Sequence, residues 1–223
     1  MKFYFNLSPN PTKVMLFLEE TGLAFEPVPV DTRKGQQFEP SFLAVNPNAK
    51  VPAIDDGGRV VFDSNAILLY LGEKTGLFMD ADRATLLSWL MFVATGIGPY
   101  SGQAVHFRHF ATEAVPYART RYDYEANRHY KVADERLARS RYLAGAAYTI
   151  ADMALWGWAK QLPFTLGDGA FDRFPNLKRL VDEISARPAA ARVDTFKGRF
   201  QFKREVDDEM RRNMFRHLSA AGA

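Results

Sequence analysis

The chain has 223 residues, 47% of them hydrophobic and 25% charged, a balance that fits a folded globular protein of one large or two modest domains and argues against disorder. Its formal net charge of +3 is small for this length, and Lys and Arg are interleaved with Asp and Glu, so nucleic-acid binding is not expected. With Cys 0 there is no disulfide framework, no thiolate metal site and no cysteine nucleophile, and any thiol chemistry has to be brought by a ligand.

The apolar run before "NLSPNP" is too short for a signal peptide, and no segment approaches the roughly 20 uninterrupted apolar residues that span a bilayer. A soluble, cytoplasmic protein without membrane contact is expected. Lys2 to Asn6 reads as a short aromatic strand. It runs through the turn "SPNP" into a helix over Pro11 to Glu20, with Asn10 as N-cap, Pro11 at the first helical position and Gly22 as the stop. "AFEPVPVD" is extended, and Pro27 and Pro29 remove alternate donors, which fits an edge strand outside the first. "VPAIDDGGRVVFDS" reads as strand, turn and strand, with Gly57 and Gly58 supplying the positive φ of a tight hairpin. Ser64 then caps "NAILLYLGEKTG", in which Ala66, Ile67, Tyr70 and Leu71 share one apolar face and Gly76 ends the helix.

Strand signals stop at Arg83. A helical segment with a bend around Gly96, Gly98 and Pro99 is followed by a long, charged, Tyr-rich helix. "YTIADMALWGWAKQL" then opens on a capping box of Thr149 and Asp152, and further helices follow over Leu177 to Ala186 and Ala189 to Thr195. The composition shift near Phe78 to Asp82 divides the chain into 1–79, a βαβ–ββα unit, and 83–223, all helical. In the tail "FKGRFQFKREVDDEMRRNMFRHL", three consecutive acids break the basic field. It reads as an amphipathic helix docking over the domains and able to cover a cleft between them.

Three stretches carry chemistry. Ser8 and Asn10 place neutral hydrogen-bonding groups beside a helix start that favours anions. A cis Val51–Pro52 bond would turn the Val51 backbone outward to pair with an extended peptide. Asp63 and Ser64 offer a carboxylate, a hydroxyl and helix-start amides, which together suit the ammonium and carboxylate of an α-amino acid end. Read one at a time these are also ordinary turn and cap residues. His106 and His109, three apart, lack a third ligand at helical spacing and read as surface or water-channel histidines, so no metal site is assigned. Tyr100 and Tyr124 are candidates to line a pocket.

With "SPN", "KGQQF", "PNAKVPAI" and "DSNAILLYLGEKTG" in this order and spacing, nearly the whole chain resembles the cytosolic glutathione transferases, above all the nu class with its bacterial and fungal relatives. The resemblance implies a thioredoxin-like N-terminal domain followed by an all-α domain, a homodimer, and glutathione, reduced or as its disulfide, as cofactor. It implies that Ser8 and Asn10 hydrogen-bond the glutathione sulfur and shift a thiol of pKa about 8.5 toward the nucleophilic thiolate. Val51, beside Pro52, would pair with the cysteinyl backbone, and Asp63 and Ser64 would hold the γ-glutamyl end. Gln37 and Lys50 would meet the glycyl carboxylate or the peptide's polar flank, and Arg128, in "ANRHY", would contact glutathione from the helical domain. The implied activity is glutathione-dependent disulfide reduction with some peroxidase activity toward a small disulfide or electrophile. The alternatives are a non-catalytic binding module of the same fold and a transferase or isomerase for one specific electrophile. Four positions depart from the family pattern: Ser8 for Thr, Pro11 for Gly, Asp63 for Glu and Asn65 for Gly.

Overall fold

The alternation of Phe3 and Phe5 with Lys2 and Tyr4 builds β1 (Lys2–Phe5), whose two phenylalanines are fully buried and stacked at 5.4 Å between ring centroids. In the computed structural model, which describes residues 1–216, β1 is an inner strand of a four-stranded sheet of order β2-β1-β3-β4. The parts of the tail and helical segment that fall in 217–223 lie outside the described residues. β2 (Glu26–Pro29) runs parallel to β1 on the outside, where its prolines lose no ladder partner, as the sequence predicts. β3 (Ala53–Asp56) and β4 (Arg59–Phe62) are antiparallel on the other side, joined through Gly57 and Gly58 at φ 65° and 92°. The two glycines are in the left-handed conformation that the hairpin reading requires.

Among the helices of the sheet domain, α1 (Pro9–Thr21) and α3 (Ser64–Thr75) are entered differently from the sequence reading. α1 begins two residues early, with Ser8 in the cap position instead of Asn10, because the fixed φ of Pro9 suits the first helical position as well as Pro11 does. α3 is capped by Asp63 and not by Ser64: the Asp63 carboxylate accepts from Asn65 N at 2.9 Å and Ala66 N at 3.1 Å. Its buried stripe is Ile67, Leu68, Leu71 and Gly72, whereas Ala66 is exposed and Tyr70 is half out, its hydroxyl donating to Asp56. The stripe turns this way because α3 packs against both the sheet and α7. Between the strands, a 3₁₀ turn (Gln36–Phe38) leads into the short α2 (Pro40–Leu43).

The helical part comprises α4 (Arg83–Phe92), α5 (Gly98–Val105), α6 (Pro116–Leu137), α7 (Ile150–Ala159), α8 (Leu162–Leu166), α9 (Pro175–Ser185), α10 (Pro188–Arg199) and α11 (Asp208–Met214). The bend read at Gly96 is a π-helical turn over Val93–Ile97, and the missing side chain of Gly96 leaves room for the His129 ring. The capping box of α7 forms as read: Asp152 accepts from the Thr149 backbone at 2.9 Å and its hydroxyl at 3.0 Å, and from Leu143 N at 2.8 Å. α1 lies between the sheet and α7, so every residue from Pro11 to Leu18 is buried. At its far end Arg187, the residue before α10, and Arg192 of α10 clasp Glu20 and Glu19. No helix among the described residues is long and apolar enough to cross a membrane.

After α10 the chain crosses back to the sheet domain. Phe200 and Phe202 pack edge-on against Phe5, and Lys203 N donates to the Asp31 carboxylate at 2.7 Å. α11 then spans the two domains: Asn213 Nδ2 donates to Arg33 O at 2.9 Å, while the Phe215 ring lies 4.7 Å from His106 and 6.0 Å from Phe110. The tail therefore docks as the sequence suggests.

Candidate active site

The start of α1 is unusually poor in backbone donors. Pro9 and Pro11 have no N–H, Ser8 N donates to Asn6 Oδ1 at 2.9 Å, and Thr12 N closes the first helical turn on Ser8 O at 3.2 Å. The one orphan N–H left in the first turn belongs to Asn10. Its side chain is fixed as well, because Trp158 of α7 donates its indole N–H to Asn10 Oδ1 at 2.9 Å. An indole N–H can only donate, so the amide oxygen of Asn10 must face it and Nδ2 is turned away, with no partner among the described residues. Asn10 thus offers two free donors at the positive end of a helix, a setting that favours an anion. Ser8 differs: its hydroxyl donates to Asn6 Oδ1 at 2.6 Å, so its single proton is already engaged.

Of the other two stretches, the start of α3 is tied to α1 by a hydrogen bond, and the cis bond precedes the strand that pairs with β1. The Val51–Pro52 bond is cis, directly before β3, and neither the N–H nor the C=O of Val51 has a partner among the described residues. Pro52 is buried and Lys50 is exposed, with the Lys50 carbonyl accepting from Asn46 Nδ2 at 2.6 Å. At the start of α3 the Asp63 carboxylate is exposed and sits at φ 69°, and the Ser64 N–H and hydroxyl carry no partner among the described residues. A buried hydrogen bond ties α1 to the start of α3: Lys13 Nζ donates to Asn65 Oδ1 at 2.6 Å, and Asn65 Nδ2 to Leu90 O at 3.3 Å. Burial lowers the Lys13 ammonium from 10.5 to about 7, against the opposing pull of Asp63.

Gln37 lies under the tail. It is 4% exposed, its Nε2 donates to Asn213 O at 3.2 Å, and its buried Oε1 is left without a donor. Arg128 is not brought to the corner. Its Nε donates to Glu125 at 2.9 Å, which holds that carboxyl below its usual range, and Nη2 lies 3.1 Å from His129 Nε2. Among the described residues its contacts are with its own helix. Tyr100 stacks on His129 at 4.8 Å and Tyr124 is exposed. His109 stacks on Phe164 at 4.0 Å and shares a 2.7 Å hydrogen bond with the Phe164 carbonyl, and among the described residues no three metal-ligating side chains cluster.

Sequence reasoning missed Asn6, Lys13, Asn65 in its bonding role, Trp158 and Asn213. Lys13 had a signal: it stands directly before the run "VMLFL", in a helix whose next turns are apolar on all sides. Trp158 and Asn213 reach the corner from 148 and 176 residues away along the chain, and nothing local marks them.

Comparison with known proteins agrees with this fold. The family model described as "Glutathione S-transferase, N-terminal domain" matches residues 1–73, and that described as "Glutathione S-transferase, C-terminal domain" matches 109–188. The chain is 43% identical over 200 residues to the disulfide-bond oxidoreductase YfcG of Escherichia coli, covering 85% of this chain and 92% of that one. It is similar to the crystal structure of a glutathione transferase family member from Pseudomonas fluorescens with two glutathione bound, at 37% identity and a TM-score of 0.81 over 86% of this chain and 91% of the other. It is also similar to a glutathione transferase from Pseudomonas putida with one glutathione disulfide bound per subunit, at 35% identity and a TM-score of 0.81 over 88% and 91%.

Proposed function

The chain belongs to the glutathione S-transferase family, and from that premise we propose that it reduces small disulfides, and peroxides likewise, with the thiol of glutathione held between the starts of α1 and α3. The observation that carries this reading is the pinned amide of Asn10: Trp158 holds its oxygen, and its free Nδ2 and N–H stand at a helix start otherwise stripped of donors. A donor set of this kind favours the thiolate over the thiol. A hydrogen bond to a charged acceptor is worth about 1.5–3 kcal/mol, so one such donor shifts a thiol by about one to two pH units.

The remaining residues fit the same ligand. The unpaired backbone of Val51 suits the cysteinyl peptide, the exposed Asp63 carboxylate suits the γ-glutamyl ammonium, and the free N–H and hydroxyl of Ser64 suit the carboxylate beside it. The orphaned Oε1 of Gln37 suits an amide N–H at the glycyl end, with Lys50 available to the terminal carboxylate. Ser8 orients through Asn6 and comes second to Asn10. Arg128 would have to leave Glu125 to reach a ligand from the helical side. When bound, two glutathiones supply the reducing equivalents, so that one substrate disulfide becomes two thiols and glutathione disulfide is the product. The relatives that hold two glutathiones or one glutathione disulfide support this stoichiometry. On this reading 1–79 is the glutathione domain and 83–223 the substrate domain. The chain pairs as a homodimer, a reading supported by the exposed Val60 and Phe62 on the edge strand β4.

The test is reduction of 2-hydroxyethyl disulfide by glutathione, with glutathione affinity measured separately. Asn10→Ala is expected to lose turnover while still binding glutathione. Unchanged turnover would remove Asn10 from the chemistry.

A further inference from the structure

Lys13 is 2% exposed, one helical turn beyond Asn10 and part of neither the sulfur-facing turn nor the γ-glutamyl pair. A buried ammonium is costly unless a counter-charge meets it. Here the direct partner is the neutral Asn65 Oδ1, and Lys13 forms no ion pair among the described residues. The surroundings offer nothing better. Among the described residues the charged group that acts on it is Asp63, the N-cap of α3, whose Oδ1 is taken by its own capping bonds. α4 contributes the Leu90 carbonyl to Asn65, and α7 presents the uncharged Gly157 and Trp158. Arg187 and Arg192 are bound to Glu20 and Glu19 at the far end of α1. The two helix starts flanking Lys13 add positive partial charge of their own. Nor can the side chain move away: a Cβ on Gly157 would lie 2.9 Å from Lys13 Cβ and 2.7 Å from Pro9 O, so α7 closes directly on it.

A cation has thus been built beside two anion-favouring helix starts with no ion pair among the described residues and only the distant pull of Asp63 to offset its burial. We infer that Lys13 is the internal counter-charge of the glutathione site, a positioning residue that braces the starts of α1 and α3 against each other through Asn65 and balances the negative charge of the ligand lying across them. The inference rests on reading this cleft as a glutathione site. Its consequence is a proton linkage. Without ligand, burial leaves the ammonium half titrated at about pH 7. An anionic ligand across both helix starts favours the charged form, so binding draws a proton from solvent.

The probe is S-methylglutathione, which carries the peptide's charges and has no thiol to ionise. Titration calorimetry in buffers of different ionisation enthalpy gives the protons exchanged on binding. The wild type is expected to take up a fraction of a proton per ligand, rising from about pH 6.5 to about pH 8. Lys13→Met and Lys13→Gln should bind with that uptake abolished, and Lys13→Gln, which can still donate to Asn65, should retain more of the affinity. A wild type that binds S-methylglutathione with no proton uptake across this range overturns the inference, whether or not the variants fold. Uptake that persists in either variant overturns it too. Failure of the wild type to bind S-methylglutathione at all sinks instead the glutathione reading beneath it.

Discussion

α1 and α7 pack against each other, the start of α1 on the end of α7, and their two starts treat their donors in opposite ways. At α7 the buried Asp152 gathers the N–H of Leu143 and both donors of Thr149, and Ile150 N donates to Phe78 O. At α1 two prolines delete donors, Asn6 takes the Ser8 pair, and the donors without a partner among the described residues are the N–H and side-chain amide of Asn10. A helix start closed on itself contributes stability. One left open beside a cleft forgoes that stability and keeps a place for an anion. The titratable group near each start repeats the contrast: burial raises Asp152 from 3.8 to about 6 and lowers Lys13 from 10.5 to about 7, disfavouring charge in both.

Substitutions at the two starts should therefore separate folding from turnover. The largest effect is expected from Asp152→Ala, which strands three buried donors and should cost about 3–5 kcal/mol of stability. Chemical denaturation would measure it, and a loss under about 1 kcal/mol would make the capping box ornamental.

Next come two opposed pH limbs in the stability curve. Folded Asp152 keeps its proton to about 6 against 3.8 unfolded, so its contribution is full below about pH 4 and is lost as pH rises to about 6. Unfolded Lys13 holds its proton to 10.5 against about 7 folded, so stability climbs with pH across that window. Each limb is expected to approach a slope of about 1 kcal/mol per pH unit. Urea titrations over the pH range should lose the acid limb in Asp152→Asn and the alkaline limb in Lys13→Met. Limbs that survive their own variant would assign the titrations to other groups.

Effects on turnover follow. Asn10→Ala should reduce disulfide reduction by about 10- to 100-fold with stability within about 0.5 kcal/mol of wild type, since its side chain is part of no buried network beyond Trp158. Trp158→Phe keeps the ring and frees the Asn10 amide to rotate, so kcat should fall by about 3- to 10-fold, less than for Asn10→Ala. If the two variants fell equally, the amide's orientation would matter as much as its presence. Ser8→Ala is expected to be mildest, within about fivefold, because its proton is engaged with Asn6. A larger loss there than at Asn10 would reverse the order assigned to the two residues.

The sequence by itself determined whatever two or three neighbouring residues can settle. The hairpin at Gly57 and Gly58, the edge position of the proline-bearing β2 and the capping box at Thr149 and Asp152 all rest on φ preferences or hydrogen bonds spanning a few positions. The candidate ligands around Ser8, Val51 and Asp63 were legible for the same reason, each being a short stretch read against a family pattern. Helix starts were less secure, since both Pro9 and Pro11 suit a first helical position and packing chose between them. Only the tertiary structure decided how the corner works. The indole that turns Asn10, the amide that holds Lys13, and the tail carbonyl on Gln37 come from 148, 52 and 176 residues away. Such contacts leave no local signature, because their energy exists only once the sheet, α7 and the tail have closed around α1.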